Sequence, residues 1–454
     1  MFENKKVFIL GLARSGYEAA KLLTKRSNTV ILNDNKTEDK LNEEHIEELR
    51  SLGVNLVLGS TPEDILDESF DYLIKNPGVP IDHLYVRQAK EFNIEVINEV
   101  EMAYRLLPED VTVIGITGTN GKTTVTTLVY EILEKKYKDK VHLTGNIGYP
   151  LSGFLDKIKP RDIIVMEVSC QQLENTKEFK PDIGVFINLT PAHLDFFPDY
   201  EAYKNVKLKM FKTQTNKDIA ILNIDNEDIM NGTKDIKSTC KYFSTKNQIN
   251  GSYIKDNAIY YYDEKIIDEE DIIIKGIHNM ENIMASIMVV EELDVEQDII
   301  VDTIKQFTGV EHRLEYVDTI NEVRYYNDTK ATNVDSTKTA LSSFKDDTIL
   351  ILGGQERKQD FHELTPYMEN VKVIIGIGEC RERILEYGSE IKKETYIFEH
   401  LKEGFEKAER VSAKGDIILL SPSSASWDQY ESFEERGNEF KELINRLKKE
   451  GKTV

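Results

Sequence analysis

Cysteine, tryptophan, positive charge and long apolar runs are what this chain of 454 residues has least of. Its three cysteines, Cys170, Cys240 and Cys380, are odd in number, far apart and without a C-x-x-C spacing. That excludes a disulfide framework and a zinc site and fits a reducing, cytoplasmic compartment. No apolar run approaches the length of a membrane span. The nearest thing to a signal core, "VFILGLA" at residues 7–13, is cut by Arg14 and reads as a strand. With 58 basic against 81 acidic residues the net charge is −23, which argues against a nucleic-acid backbone or an anionic membrane as partner. Any anion must then be held by local loops. Short repeats, low-complexity tracts and disordered linkers are also missing. What is present is a globular balance of 40% hydrophobic and 31% charged residues, in a chain long enough for about three domains at roughly 150 residues each.

The order of elements is αβ throughout. "KKVFIL" leads into Gly11, "SGYEAAKLLTKR" has helical spacing and "NTVILND" is a strand, which opens a βαβ unit; "VNLVLG" and "DYLIKN" follow as strands. A second series starts at "VTVIGIT", residues 111–117, before a helix with Val125, Leu128, Val129, Ile132 and Leu133 on one stripe. Strands "DIIVMEV" and "DIGVFINL" continue it. Residues 216–275 are polar and tyrosine-rich with Asn-Gly and Asp-Asn turns, and the pattern predicts short antiparallel strands at a sheet edge. A third series begins near Gly309 with strands "VRYYND", "TILILGG", "VKVIIGIG", "ETYIFE" and "GDIILLS". The expected domains are residues 1–99, 100–308 and 309–454.

"GLARSG", Gly11 to Gly16, lies between a strand and a helix, with Asp34 closing the next strand, the layout of a dinucleotide fingerprint. Ala13 replaces its middle glycine, which weakens a nicotinamide or flavin reading but leaves a nucleotide at the helix N-terminus. "GITGTNGKTT", residues 115–124, places strand, glycines, lysine, two hydroxyls and helix in the order that lets backbone N–H groups and Lys122 hold a triphosphate, with Thr123 on magnesium. It departs from the Walker pattern, because Ile116 stands where that pattern has a glycine. Glu167 ends the next strand and His193 follows the one after, at the carboxyl edge where an open parallel sheet binds ligands; metal coordination is expected there. In "YEAYKNVKLKMF" the helical phase puts Lys207 within the apolar arc of Tyr203, Val206, Met210 and Phe211, while Lys209 points away. A lysine turned inward loses its charge readily and can be modified; snorkelling or pairing with an acid is the alternative.

Together these motifs resemble the Mur ligase superfamily, whose ATP loop spaces its glycines as this one does. The resemblance runs the length of the chain through "GLARSG", "NPG" at Asn76, "GNIG" at Gly145, "EVSCQQLE" at Glu167, "HLD" at His193, "KLKMF" at Lys207, "GIHNMEN" at Gly276, "EHRLE" at Glu311, "NDTKATN" at Asn327 and "SPSSASWDQY" at Ser421. "NDTKATN" is similar to the D-glutamate-adding branch. The resemblance implies a Rossmann-like N-terminal domain, a central P-loop-type ATPase domain with a small antiparallel edge and a Rossmann-like C-terminal domain. It implies a monomeric, cytoplasmic ligase that uses ATP and two magnesium ions to join D-glutamate to UDP-N-acetylmuramoyl-L-alanine through an acyl phosphate. Gly118, Thr119, Asn120, Gly121, Lys122, Thr123, Thr124, Asn279, Asn282, Arg313, Asp328 and Lys330 would serve ATP, with the two asparagines at adenine and Asp328 at ribose. Thr123, Glu167, His193 and Lys207 would serve the metals, Lys207 as a carbamate, and Lys122, His193, Lys207 and Lys330 would be catalytic. Arg14, Ser15, Asp34, Asn35, Asn76, Pro77, Gly78, Asn146 and Ser169 would meet the uridine substrate, and Thr332, Arg357, Ser426, Trp427 and Phe433 the D-glutamate. The chain departs from its relatives at Asn76 (usually serine), at Cys170-Gln171 (usually serine and an aromatic) and at Arg357 (often lysine).

Three other classes fit the sequence less well. Folylpolyglutamate synthase shares the ATP loop and the ligation chemistry but has no need of a first domain bearing "GLARSG". A GTP-binding switch would carry an Asn-Lys-x-Asp motif, which this chain lacks. A dehydrogenase is disfavoured by Ala13.

Overall fold

Alternation of short apolar strands with amphipathic helices builds three separate sheets, seen in a computed structural model that describes residues 2–193 and 196–450. Leu194 and Asp195 of the "HLD" segment lie outside the described residues. The chain divides into two compact units, Met1–Glu269 with His278–Ile304, and Glu270–Ile277 with Lys305–Val454.

The first unit holds two sheets. One has five parallel strands in the spatial order Asn55–Leu58, Thr29–Asp34, Lys6–Leu10, Tyr72–Lys75 and Glu95–Ile97. The order reverses between Lys6–Leu10 and Tyr72–Lys75, so the loops "GLARSG" and "NPG" leave adjacent strands at the topological switch point, where such sheets open a crevice. Successive residues of Lys6–Leu10 feed two cores: Val7 and Ile9 pack with Ala19, Leu23 and Met102 on one face, Phe8 and Leu10 with Leu73 and Tyr85 on the other. A strand buried on both faces needs this unbroken apolar run.

The second sheet has nine strands in the order Glu264–Asp268, Ala258–Tyr261, Gly251–Lys255, Thr239–Ser244, Ile219–Asn223, Ile183–Phe186, Thr112–Thr117, Ile163–Glu167 and Val141–Gly145. The expectation of antiparallel strands throughout residues 216–275 is corrected here. Ile219–Asn223, Thr239–Ser244 and Gly251–Lys255 extend the parallel sheet, a helix Glu227–Gly232 intervenes, and only the hairpins formed by Ala258–Tyr261 and Glu264–Asp268 are antiparallel. The polar composition reflects turns and helix ends, whereas Ala220, Ile221 and Leu222 are fully buried in the sheet interior.

The two sheets share one continuous core, in which Leu22, Val100 and Met102 pack with Leu151, Leu173 and Phe211. Glu101, fully buried, fastens this seam: its carboxylate accepts from the backbone N–H groups of Lys177, Glu178 and Phe179 and pairs with Arg105. Those partners supply what a buried carboxylate requires.

The second unit carries a six-stranded sheet in the order Glu315–Ile320, Val323–Asn327, Ile417–Leu420, Thr348–Gly353, Val371–Ile377 and Glu394–Ile397, parallel except for its first strand. Ile349 and Ile351 face one core, Leu350 and Leu352 the other. Among the described residues no helix is long and apolar enough to cross a membrane.

Candidate active site

The phosphate loop explains its own spacing. Gly115 is a strand residue whose missing side chain admits Met210 and Pro181, each 3.0 Å from where a Cβ would stand, and Ile116 is fully buried beside it. The loop proper therefore runs from Thr117 to Gly121. Gly121 has φ +81 and a Cβ there would collide with Asn282 Oδ1, so only glycine fits. It opens the helix Lys122–Tyr137 without a side-chain cap, which leaves the first-turn N–H groups available to an anion. Lys122 Nζ folds back onto the carbonyls of Gly118 (3.0 Å) and Thr119 (2.9 Å). Thr119 Oγ1 lies 2.9 Å from Tyr203 Oη, and Asn120 N donates to Asn188 Oδ1 at 2.8 Å, so the loop is braced from the neighbouring strand end. Thr123 and Thr124 are buried in the first helical turn. Asn282, 2% exposed, donates to Asn279 Oδ1 at 3.2 Å, so this pair sits against the loop.

Beside the loop the structure brings Glu167 and Lys207 together with it. Glu167 is 2% exposed; its Oε1 accepts from Asn146 Nδ2 at 2.7 Å, while Oε2 is buried with no hydrogen-bond partner among the described residues. An orphaned carboxylate oxygen of this kind fits a metal cation. Lys207, 1% exposed, donates to Gly118 O at 2.8 Å and Thr117 Oγ1 at 3.2 Å. Burial, with Lys122 nearby, pushes its ammonium down to about 7. His193 is exposed, with φ +55, its Nδ1 3.5 Å from Gln171 Nε2 and its ring tilted by 39° to that of Tyr203, with centroids 6.0 Å apart. Ser169 caps the helix Cys170–Glu174 in a capping box with Gln172.

At the first sheet's switch point, Asp34 accepts from the N–H groups of Leu12 (2.7 Å) and Lys36 (2.9 Å), and Asn76 Nδ2 donates to Ser15 Oγ at 3.0 Å. The departure to asparagine thus ties the two loops to each other. Arg14, Asn35 and Gly78 are exposed there, Pro77 partly. Lys75, one residue before "NPG", was not singled out from the sequence. It is 1% exposed, donates to Val79 O at 2.7 Å and lies 3.7 Å from Glu174.

In the second unit the remaining residues gather at the carboxyl ends of three adjacent strands. Asp328, 4% exposed, accepts from Ser421 Oγ (2.7 Å) and Leu314 N (3.1 Å), and burial raises its carboxyl to about 7 despite Arg313 nearby. Lys330 Nζ lies 5.9 Å from the Phe433 ring, and Thr332 is half-buried two residues on. Ser426 is 2% exposed and its Oγ lacks a partner among the described residues. Arg357 stacks on Trp427, 4.7 Å from the ring centroid. Sequence reasoning missed Arg436, 1% exposed, which donates to Thr329 Oγ1 and O, Gly353 O, Ser424 O and Ala425 O. It lies four residues before Phe440 and eight before Ile444, on the buried stripe of the helix Phe433–Glu450, so helical phase would have found it.

Comparison with known proteins places the chain in a family. Residues 5–98 match the MurD-like N-terminal domain of Mur ligases, residues 116–290 the Mur ligase middle domain, and residues 312–424 the Mur ligase glutamate ligase domain. A Staphylococcus aureus protein named UDP-N-acetylmuramoylalanine--D-glutamate ligase is 39% identical over 438 residues, 96% of each chain. Among solved structures, a MurF ligase of Thermotoga maritima in complex with ADP aligns with TM-score 0.59 at 19% identity over 92% of this chain and 96% of its own. A UDP-N-acetylmuramate-alanine ligase from the same organism gives 0.57 at 16% over 98% and 100%. These last two speak for the fold alone. The chain belongs to the Mur ligase family and has its three-domain α/β architecture. It is an ATP-dependent ligase of peptidoglycan precursor synthesis.

Proposed function

We propose that the chain joins D-glutamate to UDP-N-acetylmuramoyl-L-alanine at the expense of ATP, as a monomer in the cytoplasm. The observation that carries this reading is the pairing of a strand-end phosphate loop with Glu167, whose free oxygen is buried, and with Lys207, both at that loop. A carboxylate is inert to amines, so the chemistry requires activation. The alanine carboxylate attacks the γ-phosphorus of ATP and ADP leaves. The D-glutamate amine then attacks the acyl phosphate, and the tetrahedral intermediate collapses to the amide with loss of phosphate and a proton. Both steps spread negative charge over phosphoryl and carboxyl oxygens, and Lys122, Lys330 and Arg313 supply fixed positive charge for it. The loop amides and Thr123 and Thr124 take the phosphates, and Asn279, Asn282 and Asp328 the nucleoside.

Among the described residues no group of three or more His, Cys, Asp and Glu side chains is arranged to hold a metal. Two magnesium ions would therefore draw on Thr123, Glu167, His193, a carbamate on Lys207 and the substrate's own oxygens. When bound, they would neutralise charge on the triphosphate and the acyl group. The lowered basicity of Lys207 supports the carbamate, because only the neutral amine reacts with carbon dioxide, giving N-carboxylate and one proton. Arg14, Ser15, Asp34, Asn35, Asn76, Pro77, Gly78, Asn146 and Ser169 are assigned to the uridine substrate. Thr332, Arg357, Ser426, Trp427 and Phe433 are assigned to D-glutamate, for which the Ser426 hydroxyl, without a partner among the described residues, and the Arg357 fork are suited. The test is ADP release with UDP-N-acetylmuramoyl-L-alanine and a panel of amino acids. D-glutamate alone should turn over; equal turnover with L-lysine, meso-diaminopimelate or D-alanine overturns the assignment.

A further inference from the structure

The segment 145–153 meets the N-terminal sheet's first helix, Arg14–Lys25, in two places. Arg14 Nη1 donates to Gly148 O at 3.3 Å, and the Tyr149 hydroxyl donates to Glu18 Oε1 at 3.0 Å. Glu18 is 6% exposed, so this bond holds a carboxylate that has left water. Gly153 makes the approach possible, because a Cβ there would lie 2.7 Å from the Tyr149 ring and 3.1 Å from Glu18 Oε2. The ring also packs edge-on against Phe154, with centroids 5.7 Å apart.

Three residues before Tyr149 the same segment delivers Asn146, which donates through its backbone to Glu167 O at 2.9 Å and through its amide to Glu167 Oε1 at 2.7 Å. Glycines just before Asn146 and just before Tyr149 let the turn pack closely. Gly145 takes φ +101 with Glu167 O where a side chain would begin, and Gly148 takes φ +69 against Leu143 O. The contact at Tyr149 and the bonds to Glu167 thus stand three residues apart on one crowded turn, and the second oxygen of that carboxylate has no hydrogen-bond partner among the described residues.

We propose that Tyr149 and Glu18 are a positioning pair, which registers the uridine-substrate helix against Asn146 and so aims the Glu167 carboxylate. This rests on the ligase reading above. Neither residue touches the reacting groups; both act through Asn146.

The experiment compares Tyr149→Phe, which keeps the ring and its packing, with Glu18→Met, which keeps the bulk, and with the double variant. Three quantities are measured beside the melting temperature. They are KM and kcat for each substrate, calorimetric binding of UDP-N-acetylmuramoyl-L-alanine without ATP, and Mn²⁺ binding by electron paramagnetic resonance with a non-hydrolysable ATP analogue. Loss of one such hydrogen bond predicts KM for the uridine substrate and the Mn²⁺ dissociation constant each raised about three- to tenfold. KM for D-glutamate and metal-free affinity for the ATP analogue should not move. The double variant should be no worse than either single one, since both break the same contact. A merely structural role would lower the melting temperature and all affinities together, and that outcome overturns the proposal. So do variants that match the wild type in both binding assays, or effects that add. If Glu18→Met fails to fold, Tyr149→Phe alone decides. A wild type that binds the uridine substrate and Mn²⁺ yet releases no ADP with D-glutamate overturns the ligase reading instead, and the binding assays still judge the pair.

Discussion

Lys207 in the first unit and Arg436 in the second are each 1% exposed and each lie on the buried stripe of a helix, yet burial acts on them differently. Lys207 has two acceptors, and its ammonium falls to about 7. Arg436 has five and is lowered only to about 10, so it stays charged at neutral pH. An amine that loses its proton gains a nucleophilic lone pair. A guanidinium keeps its charge and spends its fork of donors on geometry. Arg436 ties Thr329, Gly353 and Ser424-Ala425, which follow or end three neighbouring strands and carry Lys330, Arg357 and Ser426 beyond them. One buried cation is thus placed to react, the other to hold a site in shape.

The sharpest way to break this contrast is to remove each. Lys207→Ala should lower ligation by on the order of 10³-fold, the scale at which a transition-state contact is lost. Its melting temperature should change little, because the cavity left by the side chain is offset by the relief of an ammonium that burial disfavours. Small carboxylates added to the assay should restore part of the rate. Full activity in carbonate-depleted buffer would place Lys207 with the structural lysines. Arg436→Met should do the reverse and destabilise the second unit by about 3–5 kcal/mol, because its acceptors are left buried without donors. Trp427 is the chain's single tryptophan and lies in that unit, so its fluorescence during denaturant unfolding reads the loss. Arg436→Lys should recover only part of it, since three donors cannot serve five acceptors.

How far the sequence alone reaches differs between these two residues. Lys207 was visible because a helix's phase can be counted, and the same count applied to the last helix reaches Arg436. Phase counting says nothing of Lys75 or of Glu167, and Glu167 was legible only from its place at a strand end beside the phosphate loop. Both end strands buried on two faces, where period-two alternation carries no signal. Residues 216–275 misled for a related reason: turn residues dominate the composition there, while the parallel strands between them are short. The strands Glu95–Ile97, Val141–Gly145 and Glu315–Ile320 were not anticipated; the first has three residues, and the last two mix polar and apolar positions. The loops were legible because glycine is obligatory at Gly121 and Gly145, where φ is positive and neighbours fill the space of a side chain. Partners such as Asn188 with Asn120, 68 residues apart, are fixed by folding and are not encoded in any local pattern.

A buried anion extends the comparison to pH. Asp328 has its carboxyl raised from 3.8 to about 7 by burial. Between those values the native state holds a proton that the unfolded chain has lost, so this group's contribution to stability is complete below about pH 4 and declines as pH rises through about 7. Lys207 works in the opposite window: its folded value of about 7 lies below its ordinary 10.5, so its penalty is full under pH 7 and fades as pH rises above it. In Asp328→Asn the second unit, followed by Trp427 fluorescence, should lose a slope of at most about 1.4 kcal/mol per pH unit between pH 4 and 7. An unchanged pH profile would mean that the carboxylate stays ionised inside the fold.

The smallest effect sharpens the contrast between two arginines of the same unit. Arg357 is as exposed as Arg436 is buried, yet its plane is also fixed, on one face by Trp427 at 4.7 Å and at Nε by Gln355 Oε1 at 3.0 Å. Neither Nη has a bonded acceptor among the described residues, and that is the geometry a fork needs to meet a carboxylate in two parallel bonds. Trp427 is itself 64% exposed, so the stacked pair stands at the surface. Stacking of a cation on an exposed ring contributes about 0.5–1 kcal/mol. Trp427→Leu should therefore raise KM for D-glutamate about two- to fivefold at unchanged KM for ATP and unchanged melting temperature. Arg357→Lys in the same background should cost little more, because without the ring the guanidinium's plane is no longer fixed. A Trp427→Leu enzyme with wild-type KM for D-glutamate would assign the stack to the surface and leave Arg436 as the arginine that matters.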